Sequence, residues 1–270
     1  MEVKQVAKPI KRSKLRRKLG KEYYCLKERV NWLRSDQKWA MERSKVRLHA
    51  LVKSHQSFLL RRLKDVDMHL QRNKVTNLQL ALDCIDGVII KPGETFSFWK
   101  MVGRPTKSKG YLEGMTLSEG KVTSGTGGGL CQMGNLIYWM TIHTPLVVTK
   151  RWRHSYDVFP DVNRKIPFGS GATLSYNYID LQITNESDQA FQINLWLDDT
   201  HLHGQICAEN SIEDEIIIEE RNHLFRQQWW GGYTRHNEIW RIKTNPDSGE
   251  VSEELVTENH AFMMYNPLLE

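Results

Sequence analysis

The sequence predicts an α+β fold, with a mostly antiparallel β body, one buried helix and a basic helical N-terminal region before them. Over residues 23–72, apolar side chains recur every three or four positions with no glycine or proline, which is typical of helices. Several later segments alternate apolar and polar residues with period two, which is typical of strands. A third observation, an apolar run that begins at Leu136 soon after three glycines and Cys131, predicts the buried helix that carries the glycine-rich motif.

Charge is distributed unevenly along the 270 residues. Residues 1–75 hold 22 Lys and Arg against 7 Asp and Glu, a net of +15, and the remainder holds 16 against 25, a net of −9, which together give +6. A basic arm on an acidic body predicts contact with an anionic surface through residues 1–72, although a solvated helix face would give the same pattern. No nucleic-acid-binding motif is present, so no specific nucleic-acid partner is expected.

Two tryptophans in the basic region, Trp32 and Trp39, lie seven residues apart and would share a helix face. They could lie on a membrane surface or pack on the body. No secretory signal and no run of about 20 apolar residues is visible, so a cytoplasmic or membrane-peripheral location is expected. Widely spaced cysteines without a CxxC pair favour a reducing compartment.

The elements that follow are predicted from local turn and capping chemistry. Thr76 is predicted to cap a helix that ends at Gly87, before a strand at 88–90 and a Pro-Gly turn at 91–94. A strand is predicted over Thr95–Trp99. The predicted division is a basic helical region at 1–72, a central domain at 73–207, and a β-rich extension of that domain at 208–270.

Two hairpins are predicted in the second half of the chain. The first joins alternating runs around 174–183 and 191–197 through the turn residues 185–188. The second turns at Gly231-Gly232, between Trp229-Trp230 and later apolar residues. Both indicate antiparallel pairing.

Cys131 is the residue whose sequence neighbours point most clearly to a chemical function. It follows Gly127, Gly128, Gly129 and Leu130 and begins the predicted helix. A thiol in the first helical turn lies at the positive end of the helix dipole, which favours thiolate, the form that attacks carbonyl carbons. The alternative is a small buried residue in a tight glycine turn.

Several stretches resemble the VanW family, which is named for an accessory protein of glycopeptide-resistance operons. The resemblance is carried by Lys91–Trp99, Gly127–Gln132 and His143–Leu146, and further by His154, Phe159-Pro160, Gly171-Ala172-Thr173 and Asp180–Asn185. Together these cover roughly residues 75–205. Many family members carry Asp where this chain has Gly171.

The resemblance implies a cysteine-dependent reaction on cell-wall peptides, since some extracellular members resemble L,D-transpeptidases. Cys131 would be the nucleophile and His154 its base, with peptidoglycan or its precursors as substrate and no cofactor or metal. The N–H groups from Leu130 to Gln132 would form an oxyanion hole, and Asp157 or Asp161 would orient His154. The alternative is a non-catalytic module that binds cell-wall fragments or peptides.

Two other histidine features have competing interpretations. His143 is a rival base, but its place at the end of the Cys131 helix favours contact with helix carbonyls. The spacing of His201, His203 and Cys207 resembles a metal site, and it is also typical of a polar turn and strand.

Overall fold

A computed structural model describes residues 13–60, 67–118, 120–158, 166–176 and 178–267 of the chain. It is α+β, with mostly antiparallel strands and a few helices, as the sequence predicts. None of the described helices is long and apolar enough to cross a membrane. The helices are α1 (Lys14–Arg34), α2 (Met68–Ile85), α3 (Phe98–Val102) and α4 (Cys131–Thr141).

The fourteen described strands form three four-stranded sheets and one hairpin. The sheet orders are β1-β4-β9-β7, β2-β11-β10-β3 and β12-β13-β14-β8, and the hairpin is β5-β6. Pairing is antiparallel except between β1 and β4 and between β14 and β8. The strands are β1 (Lys38–Trp39), β2 (Ala50–Phe58), β3 (Val88–Ile90), β4 (Glu94–Ser97), β5 (Glu113–Ser118), β6 (Lys121–Thr126), β7 (Val147–Lys150), β8 (Tyr156–Asp157), β9 (Gln182–Thr184), β10 (Phe191–Leu197), β11 (His201–Ala208), β12 (Glu215–Gln227), β13 (Tyr233–Thr244) and β14 (Val251–Met263).

The core lies between the helices α2 and α4 and the sheet that contains β10 and β11. Helix α4 packs against β2, β7 and β11, and α2 packs against β10 and β5. Eight of the eleven residues of α4 are buried, so it has little polar surface to place in water. Fully buried side chains from both helices and from β10 meet here, among them Leu78, Ile85, Met140 and Phe191.

The helical prediction for residues 23–72 is wrong for residues 35–60 and holds again from Met68, where α2 begins. Residues Ala50–Phe58 form the edge strand β2, which pairs with β11. Exposure along β2 largely alternates, and mixed spacings of three and four do not separate such a strand from a helix. The next helix begins at Met68 and not after Thr76, because the Asp67 carboxylate accepts from His69 N and caps it. Residues 61–66 lie outside the described residues.

Trp32 and Trp39 do not share a helix, because α1 ends at Arg34 and Trp39 lies on β1. Both rings nevertheless contact the body. Lys100 Nζ lies 5.4 Å from the ring centroid of Trp32 and 4.7 Å from that of Trp39. The interpretation in which these rings pack on the body is therefore confirmed.

The first predicted hairpin is wrong and the second is confirmed. β9 pairs with β4 and β7, whereas β10 pairs with β11 and β3, so residues 185–190 cross from one sheet to another. The second hairpin pairs Gln227 with Tyr233 around Gly231-Gly232. The strand at 88–90 and the turn at 91–94 are also confirmed. The strand predicted over Thr95–Trp99 ends at Ser97, whose hydroxyl caps α3.

Candidate functional site

The glycine turn before α4 is pressed against other backbone. A Cβ on Gly128 would lie 2.2 Å from the carbonyl carbon and oxygen of Gly114 on β5. Gly129 has a φ of 95°, and a Cβ there would lie 2.1 Å from the side chain of Lys74 on α2. Only glycine fits these two positions, Gly128 because of its close approach to backbone and Gly129 because it combines close approach with a left-handed conformation.

Asn77 of α2 clamps this turn in place, and sequence reasoning missed it as a site residue. It is fully buried, and its Nδ2 donates to Gly128 O at 2.9 Å and to Leu112 O at 3.1 Å. Its Oδ1 accepts from Leu112 N at 2.8 Å. The available signal was an amide next to Leu78, on the apolar face of α2.

Cys131 is half-buried at the first position of α4, and its sulfur interacts with the backbone of Leu174. Leu174 N donates to Sγ at 3.4 Å, and the thiol donates to Leu174 O at 3.6 Å. Burial raises the pKa of the Cys131 thiol, against the opposing effect of the N–H groups of Leu174 and of Cys131 itself. The resting form at neutral pH is therefore the thiol.

The N–H groups around Cys131 differ in their availability. Gln132 N donates to Gly129 O at 3.0 Å and so is occupied. Within the described part of the chain, no acceptor is found for the N–H groups of Gly129 or Leu130. The Gln132 side chain donates to Ser57 Oγ at 2.9 Å and to Phe58 O at 2.8 Å, which ties α4 to β2.

His154 is half-buried in the segment between β7 and β8. It lines a small cavity of about 30 Å³ together with Leu117, Gly120, Tyr156 and Val158. Burial, and then the charge of Arg153, lower the pKa of His154, so the ring is neutral at pH 7 and able to accept a proton.

The structure links the segments of Cys131 and His154 only through residues 173 and 174, among the described residues, and without a hydrogen bond between the two side chains. Leu174, which contacts the sulfur, follows Thr173, whose N–H donates to Trp152 O at 2.7 Å. Of the described residues, none links the thiol to the imidazole by a hydrogen bond. Direct proton transfer between them requires a rearrangement of one segment.

The two carboxylates considered as partners of His154 have different outcomes. Asp157 is buried, accepts from Tyr265 Oη at 2.8 Å, and lies 3.4 Å from Arg235. Its carboxylate is therefore engaged by the C-terminal sheet. Asp161 lies outside the described residues.

His143 takes the structural role that its position predicts. Its Nδ1 lies 2.8 Å from Trp139 O, one turn back along the end of α4. Burial lowers the pKa of His143 to about 4, so the ring is neutral at physiological pH. The interpretation as a residue that contacts helix carbonyls is confirmed.

A separate cluster at the turn between β10 and β11 has a donor set that could hold a metal ion. One ligand atom from each of Asp198, His201 and His203 lies within 4.8 Å of the others. Asp198 Oδ2 lies 2.6 Å from His203 Nε2, and Oδ1 accepts from the N–H groups of Thr200 and His201. Cys207, the third residue of the spacing noted in the sequence, is buried and lies outside this cluster.

Comparison with known proteins decides the family. The family profile described as VanW like protein matches residues 73–207, which include the glycine turn, α4 and His154. The chain belongs to the VanW family. It is 38% identical over 185 residues to the vancomycin B-type resistance protein VanW of Enterococcus faecalis, which covers 68% of this chain and 67% of that protein.

A second relative is more distant. The uncharacterized protein YoaR of Bacillus subtilis is 30% identical over 122 residues, which cover 45% of this chain and 39% of YoaR. The chain thus spans about two-fifths of that relative. No solved structure matches the chain.

Gly171, before Ala172 and Thr173, lies close to α4. A Cβ on Gly171 would lie 2.5 Å from Asn135 Oδ1 of α4. Asn135 Oδ1 accepts from Ala172 N at 2.8 Å. The side-chain amide of Asn135 therefore occupies the space that a side chain at position 171 would need.

Proposed function

We propose that this VanW-family protein catalyses acyl transfer or hydrolysis on cell-wall peptides, with Cys131 as nucleophile, and so contributes to glycopeptide resistance. The supporting observation is the position of the sulfur at the start of α4, with the N–H groups of Leu174 and Cys131 directed at it. Hydrogen bonds of this kind favour thiolate once the proton has left. The name of the Enterococcus faecalis relative supports the link to resistance.

The reaction has two steps. The proton of the Cys131 thiol passes to the neutral ring of His154, and the sulfur attacks a peptide carbonyl carbon. The N–H groups of Gly129 and Leu130 donate to the oxyanion. The C–N bond breaks, the leaving amine takes the proton from His154, and a thioester remains, which a second amine or water resolves.

Substrate binding has to bring thiol and imidazole together in this mechanism, because no hydrogen bond joins them at rest. Catalytic hydrogen bonds are often long before substrate binds and shorten in the complex. Leu174 contacts the sulfur and Thr173 contacts Trp152, two residues before His154, so a peptide that displaces Leu174 would free the thiol and alter the segment that carries the base.

The second candidate function is binding of cell-wall peptides without reaction. The contacts of Cys131 with Leu174 favour it, because they satisfy both the donor and the acceptor capacity of the thiol. The raised pKa of Cys131 also favours it. Under this alternative, the glycine turn shapes the binding surface and Cys131 only packs.

Intact-mass spectrometry of the protein with peptidoglycan stem peptides separates the two functions. We expect a thioester adduct that hydroxylamine removes, and none with Cys131→Ala. The matched control is Cys84→Ala, since Cys84 is also half-buried and its thiol also donates to a backbone carbonyl, that of Leu80. If the protein binds the peptides without forming an adduct, and Cys131→Ala binds them with the same affinity, the protein is a binding module and not an enzyme of this kind.

A second measurement tests the base. His154→Gln should slow adduct formation at neutral pH by about 100-fold or more and recover part of the rate at alkaline pH, where the Cys131 thiol ionises without a base. Equal pH profiles for the variant and the parent would remove His154 from the mechanism and leave Cys131 in it.

A further inference from the structure

Helix α1 carries an apolar stripe that faces away from the body. Leu15, Leu19, Tyr23, Leu26 and Leu33 have exposed fractions between 62% and 86%. They follow one another at spacings of three, four and seven residues, so they lie on one face of the helix. Exposed apolar residues that are contiguous mark an interaction site more often than scattered ones do.

A different face of α1 attaches the helix to the body. Cys25 is buried, and its thiol donates to Tyr176 O at 3.1 Å. Trp32 packs against the hydrophobic core. The stripe is therefore not needed to hold α1 in place.

The charges of α1 indicate the sign of the partner. The helix contains eight basic residues and two acidic ones, and both acids are engaged by basic residues of the body. Glu22 Oε1 lies 2.6 Å from Arg104, and Glu28 forms an ion pair with Lys150. The basic residues are Lys14, Arg16, Arg17, Lys18, Lys21, Lys27, Arg29 and Arg34.

We propose that α1 binds the surface of a negatively charged lipid bilayer, with the stripe from Leu15 to Leu33 inserted among the head groups. A helix with an apolar stripe flanked by lysine and arginine is suited to this interface, where the acyl boundary receives the apolar side chains and the anionic head groups attract the cations. This proposal is independent of the reaction proposed for Cys131.

Other occupants fit the stripe less well. A nucleic acid would use the cations but offers little to five exposed apolar side chains. A second copy of the chain would bring another helix with eight basic residues against the first, and like charges repel across an interface. A lipid surface matches both the apolar stripe and the charge.

Vesicle flotation of the full chain tests the proposal. We expect the protein to float with phosphatidylcholine vesicles that contain phosphatidylglycerol, and to remain unbound with pure phosphatidylcholine. Leu19→Ser/Leu26→Ser should weaken binding at least about tenfold, because less apolar surface enters the bilayer. Arg16→Gln/Lys27→Gln should weaken it by about fivefold per charge, and added salt should act in the same direction.

The matched control is Val251→Ser/Leu255→Ser, which removes two apolar residues of β14 that are 57% and 46% exposed. This control should float like the parent. All three variants change exposed residues, so circular dichroism should show unchanged folding. The proposal is overturned if the parent fails to float with anionic vesicles, or if the stripe variant and the control bind equally. It is also overturned if sedimentation shows a dimer that the stripe variant dissociates.

Discussion

The interior around α2 and α4 and the interior of the C-terminal sheet are built from different side chains. The first is dominated by fully buried apolar residues, such as Leu78, Ile137 and Phe191. Along β13 and β14 the second buries a run of polar and charged ones, namely Thr234, Arg235, His236, Asn237, Arg241 and Asn259.

The two interiors therefore depend on different physics. The interior around α2 and α4, called the centre below, relies on removal of apolar surface from water and on close packing. Both respond little to pH. The sheet relies on hydrogen bonds and charge pairs, which stabilise only while every partner is present and in the right protonation state. The region that carries Cys131 therefore depends mainly on packing, with His143 as a titratable exception, and the sheet that engages Asp157 depends mainly on polar and charged partners.

Removal of the charge at Arg235 is expected to have one of the two largest effects on stability. Arg235 and Asp157 are buried, with side chains 2% and 6% exposed, and the guanidinium also lies 4.3 Å from the ring centroid of Phe168. Arg235→Met should lower the free energy of unfolding by about 3–5 kcal/mol, because a buried carboxylate loses its cation. Urea unfolding measures it.

The control for this change is Arg221→Met, which removes a surface arginine paired with Glu253 at 2.7 Å. It should unfold close to the parent, since solvent screens exposed pairs. If both variants unfold alike, the buried pair contributes no more than a surface one and the contrast between the two interiors is wrong.

The centre should be sensitive to added volume at its closest backbone contact. Gly128→Ala places a methyl group 2.2 Å from backbone atoms of Gly114, so β5 and the glycine turn must separate. We expect a loss of about 1–3 kcal/mol, measured by thermal or urea unfolding. Gly20→Ala is the control, because nothing lies within 4 Å of it and alanine favours helix α1.

The sequence predicts what local chemistry decides. Gly93 and Gly231 lie in turns whose backbone needs glycine, and both turns are where the sequence places them. The residues around Asn185 also have turn chemistry, but the Asn185 side chain donates to Ile90 O and Gln189 O and stabilises a crossover between sheets. Which strand a turn leads to is a nonlocal matter.

The same limit applies to the site. That Cys131 begins a helix follows from the glycines before it and the apolar run after it. Its contact with Leu174, 43 residues away, depends on how α4 packs against a segment whose alternation predicts a strand but which is a loop at Leu174. A sequence shows which residue is poised for chemistry more readily than which neighbours surround it.

Acid should weaken the sheet through His236. Burial and the neighbouring His260 lower the pKa of His236 to about 4, and the two Nδ1 atoms lie 2.6 Å apart. Because the unfolded chain binds the proton at a higher pH than the folded one, this stability is full above about pH 6.5 and is lost as the pH falls towards 4. The slope of the free energy of unfolding against pH should fall in His236→Gln by at most about 1.4 kcal/mol per pH unit.

The measurement is the free energy of urea unfolding across that pH range. A smaller dependence of the unfolding free energy on pH should remain because of His143 in the centre. Burial lowers the pKa of His143 to about 4 as well. His49→Gln, at an exposed position, is the control and should follow the parent. An unchanged slope in His236→Gln would show that the protonation of His236 is not coupled to folding.

The smallest effect is expected at the tip of the C-terminal sheet. Trp229 is 95% exposed, so Trp229→Ala should change the free energy of unfolding by less than about 0.5 kcal/mol. Trp99 in the centre is buried, and its Nε1 donates to Ile179 O at 2.9 Å, so Trp99→Ala should cost about 3–5 kcal/mol. The same residue type is thus removed from both regions. If urea unfolding shows a loss above about 1 kcal/mol for Trp229→Ala, the tip is packed in solution and the sheet has an apolar contact that its exposure here does not predict.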